Sequence, residues 1–194
     1  ALQNATTVDE ACRFAATEVR RVSNFDRVTI YKFDEQWNGV VLAEDRAAFM
    51  DSYFGQSFPS TDIPAQARNL YALNWLRLIA NVDYEPAQLI PQLDPRTNAP
   101  LDLSFSVLRS VSPVQLEYMR NMKMASSMSI SIIKDDRLWG LISCHHNKPH
   151  YVSYQTRSAC EFLGQIFSYQ LSAIETRDQG VQRDHLKVLL NNID

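Results

Sequence analysis

Cysteine is scarce and irregularly spaced. Cys12, Cys144 and Cys160 are odd in number and none falls in a CxxC pair, which argues against a disulfide framework and a structural zinc site and fits a reducing, cytoplasmic setting. An excess of basic charge is also absent: 19 Lys and Arg stand against 22 Asp and Glu, a net charge of −3. No global field grips a phosphate backbone, so nucleic acid is not an expected partner. No apolar run approaches the roughly 20 residues that cross a bilayer, so no membrane span is expected. The opening ALQNATTVDE has neither an initiator Met nor a basic and then apolar leader, so a signal peptide is not expected and an excised fragment is. Internal repeats and low-complexity tracts are missing, and no nucleophile-elbow glycines flank any serine. What remains is an ordinary globular composition, 45% hydrophobic and 21% charged over 194 residues, enough for one domain over 1–175 with a helical extension over 176–194.

Periodicity supplies the elements. In TTVDEACRFAATEVRRVSNF, Val8, Cys12, Ala15, Val19 and Val22 recur at helical spacing, and Thr7 with Glu10 forms a capping-box pattern. RVTIYKF (27–33) and VVLAEDR (40–46), separated by DEQWNG, predict a hairpin. FPSTDIPAQARNLY follows, in which Asp62 is a candidate N-cap and Pro64 a favoured starting residue for a helix running to about Trp75. The strand LRLIANV comes next. From Asp83 to Leu103 four prolines and no sustained period predict a long loop, of the kind that is functional or disordered. SPVQLEYMRNM predicts a helix with Ser112 as N-cap, Pro113 first and Gln115 third, again a capping-box pattern. SSMSISIIK and RLWGLISCHH predict a hairpin turning at Asp135-Asp136, and a long helix carries Ala159, Phe162, Leu163, Ile166, Phe167 and Leu171 on one stripe. A short leucine-rich segment, DHLKVLLNN, closes the chain. Strands and helices mix without a βαβ rhythm, which predicts an α+β fold: an antiparallel sheet with helices on one face.

The strands also suggest a cavity. Ser127, Ser129 and Ser131 point opposite to Met128, Ile130 and Ile132, and in the partner strand Leu138, Ile142 and Cys144 oppose Trp139 and Leu141. Large groups of both parities imply cover on both faces, and a covered face that carries hydroxyls suits a ligand cavity with apolar walls and a few orienting polar groups. Arg77 and Arg109 each flank a predicted helix, and two guanidinium forks converging on such a cavity suit a ligand with carboxylates.

Taken in order and at these separations, FPSTDIPAQARNLY, LRSVSPVQLEYMRNM and LWGLISCHH closely resemble the chromophore-binding GAF domain of phytochromes, especially its bacteriophytochrome and cyanobacterial branches. The likeness runs from about residue 6 to 175. It implies an antiparallel sheet flanked by helices, a lasso-like loop and a cleft holding a linear tetrapyrrole, biliverdin or phycocyanobilin, whose double bond isomerises in red light. By motif, Asp62 and Ile63 of the DIP turn would face the pyrrole nitrogens. Tyr31, Phe58, Tyr71 and Tyr118 match aromatics around an outer ring, Arg77 and Arg109 match the arginines that pair with propionates, Ser127 and Ser129 match hydroxyls near the other propionate, and His145 matches a histidine bonded to the outer ring carbonyl. The apolar terminal helix is expected to pair two copies across a two-fold axis as a homodimer, and the resemblance implies an output such as a histidine kinase outside this sequence.

Three positions depart from the pattern. Gln115 stands where the family carries a histidine beside the pyrrole nitrogens, and an amide does not titrate near neutral pH. Val114 stands where plant-type members carry the attachment cysteine, the bacteriophytochrome one lying in an upstream domain, and Lys123 replaces a glycine after the NM pair. These losses leave open an alternative, a degenerate GAF scaffold that dimerises without sensing light. A metal-dependent enzyme built on CHHNKPH is a weaker alternative, since the adjacent His145 and His146 face opposite sides of a strand.

Overall fold

Thr7 starts the first helix, α1 (Val8–Ser23), by accepting a hydrogen bond from the Glu10 amide at 3.2 Å. The reciprocal half of the box closes one residue early, because the Glu10 carboxylate accepts from the amide and hydroxyl of Thr6, both at 2.9 Å. The helix ends at Asn24, whose left-handed φ of 57° suits a short polar side chain. These details come from a computed structural model that describes residues 5–106 and 109–191, with side chains up to residue 177.

Six strands form one antiparallel sheet in the order β3-β2-β1-β6-β5-β4: β1 (Arg27–Phe33), β2 (Gly39–Arg46), β3 (Ser57–Phe58), β4 (Leu76–Ile79), β5 (Ser126–Lys134) and β6 (Arg137–His146). Both anticipated hairpins form. The second turns at Asp135 and Asp136, whose φ values of 49° and 57° give the doubly left-handed turn that matches strand twist. Between β4 and α3 (Pro113–Asn121) the described residues contain only an isolated bridge, Leu93 with Pro100, in keeping with the long loop expected there.

One face of the sheet carries Val28, Ile30, Met128, Ile130, Ile132, Ile142 and Cys144, packed against α1 and against α4 (Tyr154–Asn191). The expectation of helices on one face holds only for this pair. The helix α2 (Ala65–Leu73) lies over β5 and β6, where Ser131 donates to the Tyr71 carbonyl at 2.7 Å, and α3 packs Leu116 and Met119 with Ile79. Both faces are therefore covered, and the sheet's second face is roofed rather than wet.

Two strand and helix expectations need correcting. In β6 the strict alternation fails: Ile132 pairs with Gly140 but Ile133 pairs with Leu138, so Trp139 is an extra residue. That bulge turns Leu138 to the side of Leu141, Tyr31 and Phe33, while Trp139 packs against the core of the opposite face. In α4 Leu163, Ile166, Phe167 and Leu171 of the expected stripe do pack on the core, together with Cys160, Gly164 and Ile174, while Ala159 and Phe162 are exposed. Gly164 sets this rotation, since a Cβ there would come within 2.7 Å of Ile130 Cγ2, so the close approach of helix to sheet requires glycine. The segment DHLKVLLNN is not a separate element. Its residues to Asn191 continue α4.

Candidate functional site

On the second face a cavity opens between the sheet and the α2 and α3 roof, enclosing about 910 Å³ including its solvent-open mouth. Strand periodicity builds its floor: Thr29 and Tyr31 of β1, Leu141, Ser143 and His145 of β6, and Ser127 and Ser129 of β5 all project to this side. The third serine of the row, Ser131, is spent on the end of α2.

The DIP turn does not cap α2 through Asp62. Pro64, not Asp62, occupies the N-cap position of α2, and no side chain caps that helix. Asp62 closes a tight turn, its amide donating to the Pro59 carbonyl at 3.0 Å, while Arg68 donates to the Ile63 carbonyl at 2.6 Å and rests on the Trp37 ring. The Asp62 carboxylate is left to accept from the Tyr118 hydroxyl at 3.2 Å, which ties α3 to the turn across the cavity wall. Burial, reinforced by Asp62, raises the Tyr118 hydroxyl well above its ordinary pKa, and burial with the same carboxylate pushes Tyr31 up to about 12. Both phenols therefore stay protonated donors at neutral pH.

Tyr31 owes its seat to Gly39. A Cβ at that position would stand 1.7 Å from Tyr31 Cζ, so the ring occupies space that only glycine leaves open. Around it Phe33 and Phe58 lie at centroid separations of 5.3 and 5.9 Å, and Tyr53 meets Phe58 at 5.9 Å. The result is an aromatic wall of edge-on and tilted rings, a favourable arrangement for the ring quadrupole.

Arg77 enters from β4, opposite Ser129, and donates through Nη2 to the Arg109 carbonyl at 2.7 Å. Burial, and then the nearby charge of Arg109, lowers its pKa from the ordinary guanidinium value. Arg109 does not line the cavity: its Nη1 donates to the carbonyls of Ser106 at 3.0 Å and Ser104 at 3.4 Å. Val114 does not line it either, being 75% exposed on the first turn of α3. The capping box expected there is not made. Ser112 occupies the N-cap position without a side-chain bond, and Gln115 lines the cavity instead of reaching back. Asp62, Ile63, Tyr31, Phe58, Tyr71, Arg77, Gln115, Tyr118, Ser127, Ser129 and His145 are thus brought together, and Arg109 and Val114 are not.

Sequence reasoning missed Thr29 and Ser143, although strand parity with Tyr31 and His145 was available to find them. It also missed Tyr53, which follows β2 in a loop and carries no periodic signal, and Met119, Met122 and Met124 around the exit of α3. At that exit Lys123 takes a left-handed φ of 55°, with its amide bonded to the Arg120 carbonyl and the Met124 amide to the Met119 carbonyl, both at 2.9 Å. This pair of bonds is a Schellman motif whose left-handed position normally takes glycine.

The histidines of CHHNKPH separate as strand geometry requires. His145 faces the cavity, while His146 Nδ1 lies 3.0 Å from Asp26 and stacks on His150 at 4.8 Å. Among the described residues no group of three or more His, Cys, Asp or Glu side chains is placed to hold a metal. Cys12, Cys144 and Cys160 are all buried in the core of the opposite face, so no thiol reaches the cavity. No helix among the described residues is long and apolar enough to cross a membrane.

A model of the GAF domain matches residues 7–174. The chain belongs to the GAF domain family. Its relatives include the cyanobacterial phytochrome B of Nostoc sp., 51% identical over 96% of this chain and 25% of that protein, and a bacteriophytochrome of Pseudomonas aeruginosa, 46% identical over 88% and 23%. This GAF domain thus spans about a quarter of the length of such relatives. Among solved structures it superposes on the chromophore-binding domain of an unusual bacteriophytochrome from R. palustris with a TM-score of 0.89 and 50% identity, covering 91% of this chain and 58% of that one. The chromophore-binding domain of phytochrome P1 from Stigmatella aurantiaca gives 0.83 and 53%, covering 87% and 55%.

Proposed function

We propose that this GAF domain is the sensory module of a photoreceptor and holds a linear tetrapyrrole, biliverdin foremost, in the cavity beneath α2 and α3. The observation that carries the reading is the lining itself: an aromatic wall, a half-buried guanidinium, three serine hydroxyls and a neutral histidine on one roofed face. Its kinship with phytochromes supports the same reading. The donor set fits such a pigment, whose apolar rings suit Tyr31, Phe58, Ile63 and Leu141 and whose acidic arms suit Arg77, Ser127 and Ser129. When bound, the pigment supplies red-light absorption and an isomerisable double bond.

This chain's own residues hold and orient. Asp62, its side chain anchored by Tyr118, would present its backbone carbonyl to the pyrrole nitrogens. Gln115 contributes an amide where imidazole would titrate, so proton exchange at that position is lost. With all three thiols in the far core, the pigment is held non-covalently within this chain. Co-elution of biliverdin with folded protein on gel filtration is expected, and free pigment eluting apart from folded protein overturns the reading.

Signalling runs through α4 to an output domain, a histidine kinase being the kind implied by the resemblance, and the same helix pairs two copies. Phe162 and Tyr169, one heptad apart and 61% and 77% exposed, form an apolar stripe that suits a helix-helix contact. Sedimentation should show a dimer that Phe162→Glu weakens, and a wild-type monomer at all concentrations removes the pairing. A dimer that leaves biliverdin unbound would instead favour the scaffold alternative.

A further inference from the structure

Arg27 is only 2% exposed, yet among the described residues no carboxylate lies within ion-pairing distance of it. A buried cation without a counter-ion is costly, and its placement calls for a reason. Each nitrogen of its guanidinium is engaged by other means. Nη1 donates to the Asp51 carbonyl at 2.8 Å, Nη2 approaches Met124 Sδ at 3.9 Å, and Cζ sits 3.5 Å from the centre of the Tyr53 ring. The third nitrogen, Nε, points at His145 Nδ1 across 3.2 Å. The two residues are direct partners in the β1 and β6 register, so the contact is set by the sheet and not by a loop.

The polarity of that bond admits one arrangement. Guanidinium has donors and no acceptor, so Nδ1 must offer a lone pair. The ring's proton is then on Nε2, which lies 3.0 Å from Ser143 Oγ. Ser143 accepts, leaving its own hydroxyl proton to turn into the cavity it lines. Protonating Nδ1 would oppose two donors across 3.2 Å and place a second cation beside Arg27. Burial and then the charge of Arg27 accordingly push His145 down to about 3. The titratable groups facing the ring are Arg27 from β1 and Tyr53 from the loop after β2.

We propose that Arg27 is a positioning residue: it fixes His145 as the neutral Nε2–H tautomer, which donates to Ser143 Oγ and so turns the Ser143 hydroxyl into the cavity as a hydrogen-bond donor to an acceptor oxygen of the bound ligand. The ligand half of this statement rests on the tetrapyrrole reading, and the tautomer half does not.

The test is side-chain nitrogen NMR of histidine-labelled protein without pigment, in wild type, Arg27→Met and Arg27→Lys. Wild type should show His145 with a bare Nδ1 and a protonated Nε2 down to about pH 5. Arg27→Met should give mixed tautomers and a titration moved toward the ordinary histidine pKa of about 6.5. Arg27→Lys, which keeps a cationic donor, should restore the single tautomer. A wild-type ring protonated on Nδ1, which can be read even if Arg27→Met fails to fold, overturns the proposal, as does an Arg27→Met ring identical to wild type. Adding biliverdin should then shift the His145 Nε2–H resonance. A bound pigment with that resonance unmoved removes the donor role, whereas no pigment binding beside an intact Nε2–H ring defeats the tetrapyrrole reading and upholds the tautomer assignment.

Discussion

Arg77 reaches across 32 residues of sequence to donate its Nη2–H to the backbone carbonyl of Arg109, 2.7 Å away. The link fixes the first guanidinium in the cavity wall and leaves the second outside, held by the carbonyls of Ser104 and Ser106. The two cations still sense each other, since the Arg109 charge contributes to lowering the Arg77 pKa.

Unequal roles follow for a ligand with carboxylates. A hydrogen bond to a charged group contributes about 1.5–3 kcal/mol, so Arg77→Ala should weaken biliverdin binding by roughly 10- to 150-fold. Arg109→Ala should cost less, because its charge acts at a distance and its carbonyl survives the substitution. Fluorescence titration of the two variants would rank them, and equal losses or a larger one for Arg109 would contradict the placement.

The stability of the pigment-free protein should depend on pH through His145. Its folded pKa, about 3, lies below the ordinary value of about 6.5. Between these values the unfolded chain binds more protons, so stability rises with pH across that window. It is retained above about 6.5 and eroded as the pH falls toward 3. The slope attributable to one histidine is no more than about 1.4 kcal/mol per pH unit. His145→Gln should flatten urea-melt stabilities between pH 6.5 and 5 by up to about 2 kcal/mol relative to wild type. Parallel pH profiles in the two proteins would show that the ring is not held neutral.

Lys123 offers a gain rather than a loss. It holds the left-handed position of the Schellman motif that ends α3, where a side chain costs roughly 1–2 kcal/mol. Lys123→Gly should raise the unfolding free energy by about 1 kcal/mol, less whatever the freer unfolded chain takes back. A destabilised Lys123→Gly variant would mean that the lysine side chain makes a contribution the backbone geometry does not reveal.

Much of this architecture was legible beforehand, and the failures have local causes. The turn at Asp135-Asp136, the serine row and the first helix follow from period and turn chemistry, which are local properties. The Trp139 bulge was not legible, because one extra residue reverses parity without altering composition. The exposure of Ala159 and Phe162 on α4 escaped because apolar spacing alone does not choose between adjoining sides of a helix, whereas the close approach at Gly164 decides which side packs. Asp62 read as a cap because its partner, Tyr118, lies 56 residues away in sequence. A separation of 118 residues likewise hid the pairing of Arg27 with His145, which only the register of β1 on β6 creates.

The central claim is that the roofed cavity holds a light-absorbing open-chain pigment in a defined conformation. A visible absorption spectrum of the protein mixed with biliverdin, recorded in darkness and again after red illumination, tests it most directly. A sharpened, red-shifted band is expected in the dark, one that illumination alters and that Arg77→Ala diminishes. A spectrum indistinguishable from free biliverdin, with the protein folded, would contradict it.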